Sequence, residues 1–206
     1  MRTKTLGIRA KTNKLSRESA RVLIEFIAQQ SFNFWQQNDF RKLVNFKNID
    51  QIEQDRIFNE LIVTGIGLLD LHLAGLVRKT RDGAKVGAIK TLHKESLLDY
   101  PRMLKELGTP ANLTNTWTSL IKIRIHEYRE GFQLALREMT KWEELQEKPS
   151  YKLPIARIQT CAIACLHHIR RGKTAPNDIL WTLIRRWLTY IEGNLGNITS
   201  QFLITT

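Results

Sequence analysis

Apolar residues recur at helical spacing along almost the whole chain, and the pattern is sharpest between Leu153 and Leu195. There Ile155, Ile158, Ala162, Cys165 or Leu166, and Ile169 fall on one face of a helix, with Arg157, His168 and Arg171 directed elsewhere. The stretch Arg171-Gly172-Lys173-Thr174-Ala175-Pro176 interrupts the periodicity. Beyond it, Ile179, Leu180, Leu183, Ile184, Trp187, Leu188 and Ile191 form a second stripe, opposite Trp181, Thr182, Arg185, Arg186 and Thr189. The spacing predicts a C-terminal helical hairpin with an apolar inside and a cationic outside.

The same pattern places helices upstream. Ser16 is a suitable N-cap for a helix running through Ala20, Leu23, Ile24, Ile27 and Ala28 toward Phe34 and Trp35. The aromatics Phe32, Phe34, Trp35, Phe40 and Phe46 read as a wedge between elements. Gln51 to Lys79 is apolar nearly all round, as a helix enclosed by others is; its seventeen most apolar residues hold an Asp and a His and are too short for a convincing membrane span. Thr80 to Gly87 reads as a turn with no phosphate-loop pattern, and a basic shoulder of Arg78, Lys79, Arg81, Lys85, Lys90 and Lys94 surrounds it. Ala88 to Leu98 and Pro101 to Leu107 predict two short helices. From 111 to 147 no proline intervenes, and Leu113, Trp117, Leu120, Ile121, Ile125, Tyr128, Phe132, Leu136, Met139 and Trp142 mark the buried face of a long helix.

The expected fold is therefore all-α: a multi-helix bundle with a long helix at about 111–147 and a C-terminal helical hairpin. Residues 1–15 are expected as a basic N-terminal arm, in which Leu6, Ile8 and Ala10 alternate as in a short strand, and 16–206 as a single helical-bundle domain. Residues after Gly193 are expected to fray.

Charge sharpens this picture. The chain carries 32 Lys and Arg against 20 Asp and Glu, a net +12 in 206 residues. By windows, residues 1–50 hold 10 basic and 4 acidic residues, 51–100 hold 7 and 7, 101–150 hold 8 and 7, and 151–206 hold 7 and 2. The excess sits at both ends, which favours a polyanionic partner over a general solubility surplus. The first seventeen residues are basic, with no apolar core of a secretory signal, and the cysteines need no oxidising compartment, so the expected location is cytoplasmic.

Candidate chemistry is sparse. His126 and Glu130 share a helix face, but two ligands do not make a metal centre and the chain has no Glu-x-x-His motif. Cys161 and Cys165 are one turn apart and read as buried thiols; with His167 and His168 on the same helix they cannot aim at one point. Asp70 and His72 lie about 200° apart around their helix and form no joint site. No signature orders a nucleophile, base and acid, so no cofactor, metal or catalytic residue is expected and the reading leans away from an enzyme.

The expected binding surface is the set Arg157, Arg170, Arg171, Lys173, Arg185 and Arg186 on the hairpin, with Trp181 available to stack on a base, joined by Arg9, Lys11 and Lys14 of the N-terminal arm. This predicts a non-catalytic protein holding the phosphate backbone of RNA or single-stranded DNA, with protein partners in a ribonucleoprotein-type assembly and no membrane contact. In size and composition the chain is similar to the helical small subunits of CRISPR effector complexes, which cradle guide RNA or a displaced strand. An adaptor docking on acidic proteins, and after it an enzyme with a bundle-interior site, are the other readings.

Overall fold

The computed structural model describes residues 2–143 and 152–204, with side chains at 16–140 and 153–202. Among these residues there are seven α-helices and no strand: α1 (Arg2–Trp35), α2 (Asn38–Leu43), α3 (Gln51–Lys79), α4 (Gly83–Glu106), α5 (Ala111–Glu143), α6 (Lys152–Ile169) and α7 (Ile179–Ile204).

The bundle is built around α3. Asp50 starts it, its carboxylate accepting the Glu53 amide at 2.8 Å. Every residue from Glu60 to Leu73 is buried, because α1, α4, α5, α6 and α7 all pack on this one helix. Among the described residues α3 alone is long and apolar enough to cross a membrane, and 78% of its most apolar stretch is buried inside the bundle. Gly65 and Gly67 permit the close approach: a Cβ at Gly65 would overlap Ile27 of α1, and one at Gly67 would overlap the Tyr128 ring of α5.

The charged side chains of this core are tied across helices. Glu60 holds Arg124 of α5 through two hydrogen bonds, at 2.9 and 3.3 Å. Asp70, fully buried, accepts Nε and Nη2 of Arg129 at 2.8 and 2.6 Å and meets His93 of α4 at 2.5 Å. His72 Nδ1 lies 3.1 Å from Glu192 of α7. A carboxylate buried alone would cost several kcal/mol, so these pairs select the helix arrangement that keeps them together.

Several local expectations change. Leu6, Ile8 and Ala10 belong to no strand: the backbone is helical from Arg2 onward, continuous with the helix expected from Ser16. A lone strand would have left its amides and carbonyls unpaired, whereas a helix satisfies them internally. Residues 83–106 form one helix rather than two, with Pro101 inside it; Arg21 of α1 grips α4 on both sides of that proline, through Asp99 at 2.7 Å and Glu106 at 2.9 Å. Asp82 caps this helix on the Ala84 and Lys85 amides, so it starts at Gly83, earlier than the turn-like composition suggests. The long helix α5 is present to Glu143, and residues 144–151 lie outside the described residues. The expected apolar faces lose Leu113, Ile155 and Ile179, which are exposed. The C-terminal helix continues past both of its late glycines to Ile204.

The hairpin is antiparallel, pinned at one end by Arg157 with Glu192 and at the other by Arg170 with Asp178. The aromatic wedge also forms. Phe34, Phe40 and Phe46 are buried, Phe34 stacks on Trp187 at 5.1 Å, and Trp35 carries the Arg41 guanidinium at 5.0 Å.

Candidate nucleic-acid interface

The arginines expected to form a cationic face on the hairpin are largely committed to carboxylates. Arg157 is a core residue: it is buried, and its Nε donates to Glu192 Oε1 at 3.0 Å while Nη2 also reaches that oxygen. Its room comes from Gly75 of α3, where a Cβ would stand 3.1 Å from the guanidinium. The helix is covered by α3, α5 and α7, so a position outside the main apolar stripe still faces a neighbour. Arg170 is spent on Asp178, at 2.7 and 3.0 Å, and on the Leu43 carbonyl at 3.0 Å, tying the hairpin turn to α2.

Arg171 is exposed but reaches across to Glu53 of α3, with Nε 3.3 Å from Oε1. Hydrogen bonds from Arg56 first and Arg171 second bring the Glu53 carboxyl down to about 2. Arg56 also donates to the His168 and Ile169 carbonyls at 2.9 and 3.0 Å, closing the C-terminal end of α6 over the first turns of α3.

Lys173 and Arg186 remain exposed. Arg185 lies over the Trp181 ring at 4.7 Å, so one face of that ring is already covered by a cation. Residues 185 and 186 are about 100° apart around α7 and point to different sides. The side chains of Arg9, Lys11 and Lys14 lie outside the described residues. The structure thus divides the expected patch: three arginines neutralised and three cations dispersed.

A denser cationic surface lies at the other end of α3. Arg78 and Lys79 occupy its last turn, Arg81 the connection, Lys85 the first turns of α4, and Lys90 and Lys94 its outward side. All six are exposed, and among the described residues no side-chain ion pair or hydrogen bond engages any of them. Asp82 is the only acidic residue between Arg78 and Lys94, and its Oδ1 is occupied by the helix cap. The register of α1 against α3, Ile27 at Gly65 and Trp35 at Gln54, makes the two helices antiparallel. The basic N-terminal half of α1 is therefore directed toward this same end of the bundle.

The remaining candidates lie in ion pairs or in the core. His126 and Glu130 form an exposed pair at 3.2 Å with no third ligand, and among the described residues no group of three or more His, Cys, Asp or Glu side chains is placed to hold a metal. Cys161 and Cys165 are buried free thiols, and burial pushes Cys165 up to about 12, which keeps it from acting as a thiolate. Burial works to raise the Asp70 carboxyl, but hydrogen bonds from His93 and Arg129 outweigh it and hold the group below its ordinary value. Glu192 behaves likewise, with His72 and Arg157 as its partners.

Compared with family models, with curated proteins and with solved structures, the chain finds no match.

Proposed function

We propose that this protein binds nucleic acid through its phosphate backbone, with the Arg78–Lys94 shoulder as the principal contact surface and no catalytic role. The observation that carries the reading is the density of unneutralised charge: six exposed cations within seventeen residues and one acidic residue, itself engaged as a helix cap. Elsewhere Glu53, Glu60, Asp70, Asp178 and Glu192 are each paired with an arginine. Here the fold supplies none, so the shoulder keeps a field that attracts polyanions and releases counterions on contact.

The shoulder contains no Phe, Tyr or Trp. It therefore favours contact with phosphates and does not support readout of bases. The narrower expectation of RNA or single-stranded DNA drew on Trp181, which lies at the opposite end of α3; the shoulder is compatible with duplex and single strands alike.

The test is a titration of labelled mixed-sequence RNA and DNA with two charge-neutralised proteins. Arg78, Lys79, Arg81 and Lys85 changed together to Gln should weaken binding by about tenfold to a hundredfold at moderate salt, evenly across sequences. Lys173, Arg185 and Arg186 changed to Gln should leave most of the affinity in place. Wild-type affinity in the shoulder variant overturns the proposal.

A further inference from the structure

The turn between α6 and α7 frames an open cleft of about 520 Å³. Ile163 and Leu166 of α6, Pro176 of the turn, and Ile179 and Trp181 of α7 supply its apolar surface. Ile163 is 60% exposed and Ile179 67%, although both belong to helices whose other faces are in the core. Two aliphatic side chains on facing lips of one cleft give an apolar ligand something to bury.

The turn is held in shape. Arg171 and Gly172 have φ of 51° and 79°, and the Gly172 amide donates to the His167 carbonyl at 2.8 Å, closing the end of α6. Arg170 clamps Asp178 from below. A cleft already formed loses little entropy when a ligand enters it.

No Lys or Arg lines the cleft, and the free charge at its border is positive. Asp178 is the carboxylate of the cleft, and Arg170 together with the Leu180 amide occupies both of its oxygens. Lys173, exposed and next in sequence to the lining residue Thr174, and Arg185, lying on Trp181, have no carboxylate partner among the described residues. A nucleobase fits this lining poorly: the only indole present has Arg185 over one face, and the lips are aliphatic.

We infer that this cleft docks a segment of a partner protein that presents a large apolar anchor residue flanked by Asp or Glu. Arg56 bonds the end of α6 to the second turn of α3, whereas the basic shoulder follows α3's last turn, so the two surfaces stand about 35 Å apart along that helix. The inference does not depend on the nucleic-acid reading. Together the two surfaces describe a protein that bridges a polyanion and an acidic protein partner.

The experiment uses the full chain with labelled Ile methyl groups, titrated with two short synthetic peptides and with oligo-dT. The peptides share a Leu-Phe anchor and differ in carrying Asp and Glu or Lys on either side. The acidic peptide should shift the Ile163 and Ile179 methyls saturably and bind at least about tenfold more tightly than the basic one, a difference of about 1.4 kcal/mol. Ile163→Asp should abolish the shift of the Ile179 methyl, and Ile179→Asp that of the Ile163 methyl, neither changing the thermal transition, since both positions are exposed. Lys173→Glu with Arg185→Glu should reverse the preference between peptides. No saturable shift, equal affinity for the two peptides, or tighter occupation of the same methyls by oligo-dT each overturns the inference.

Discussion

Arg157 and Glu192 are ion-paired between the two arms of the C-terminal hairpin, with side-chain exposures of 7% and 8%. His72 of α3 contacts the same carboxylate oxygen, so one oxygen joins three helices, while Glu192 Oε2 has no partner among the described residues. The arrangement is a buried charge balance, and its sensitivity is asymmetric. Arg157→Met leaves the buried carboxylate with His72 as its one remaining partner and should cost about 3–5 kcal/mol, read by urea denaturation. Adding Glu192→Leu should restore a large part of that loss, because the pair exchanged for apolar groups removes both desolvation penalties. A double variant no more stable than Arg157→Met alone contradicts this account.

Acid should weaken the fold through the same class of contacts. Glu53, brought to about 2 by Arg56 and Arg171, has a folded value below its ordinary 4.5. Asp70 and Glu192 are also lowered. For a lowered carboxyl the stabilisation is complete above the unfolded value and is lost as pH falls through the folded one. Burial first, then Arg124, also lowers His168 below 6.5, so below that pH the unfolded chain takes up its proton sooner and stability falls further. Urea midpoints should therefore drop progressively from about pH 6.5 toward pH 2, and Glu53→Gln should flatten the part of the slope below 4.5. A midpoint constant across that range contradicts the assignment.

Gly67 is where α5 comes closest to α3. A methyl group there overlaps the ring of Tyr128, which is fully buried and hydrogen-bonds Thr64 at 3.1 Å, so the ring has nowhere to move. Gly67→Ala should cost about 1–3 kcal/mol. Gly193→Ala on α7 meets no atom within 4 Å and should be neutral or stabilising by up to about 1 kcal/mol through helix propensity. Thermal or urea unfolding of the two variants checks the contrast, and equal effects would contradict the packing argument.

The helices were legible because each has a stripe set by its own periodicity, and α3, apolar all round, announced its enclosure. The single helix across Pro101 was not, because what sustains it is Arg21 from eighty residues away. The pairing of the surface charges is illegible in the sequence for a similar reason. Counting in windows assigned the hairpin a surplus, but Glu53 of α3 neutralises Arg171, and Asp178 and Glu192 neutralise their own neighbours. The balanced window 51–100 concealed a segregation: six of its seven cations lie between Arg78 and Lys94, while Glu53, Glu60 and Asp70 serve arginines of other segments. Local order in the sequence of those cations was the available signal, and pairing over long sequence separation was what hid its meaning.

The most direct measurement of the central claim is the salt dependence of nucleic-acid affinity. If the six shoulder cations meet phosphates, log K should fall against log salt with a slope of about 4 on single strands and about 5 on duplex. Neutralising Lys90 and Lys94 should each lower that slope by about 0.7–0.9, and neutralising Lys173 should leave it unchanged. A slope near zero, or one indifferent to the shoulder and reduced at the hairpin, contradicts the account.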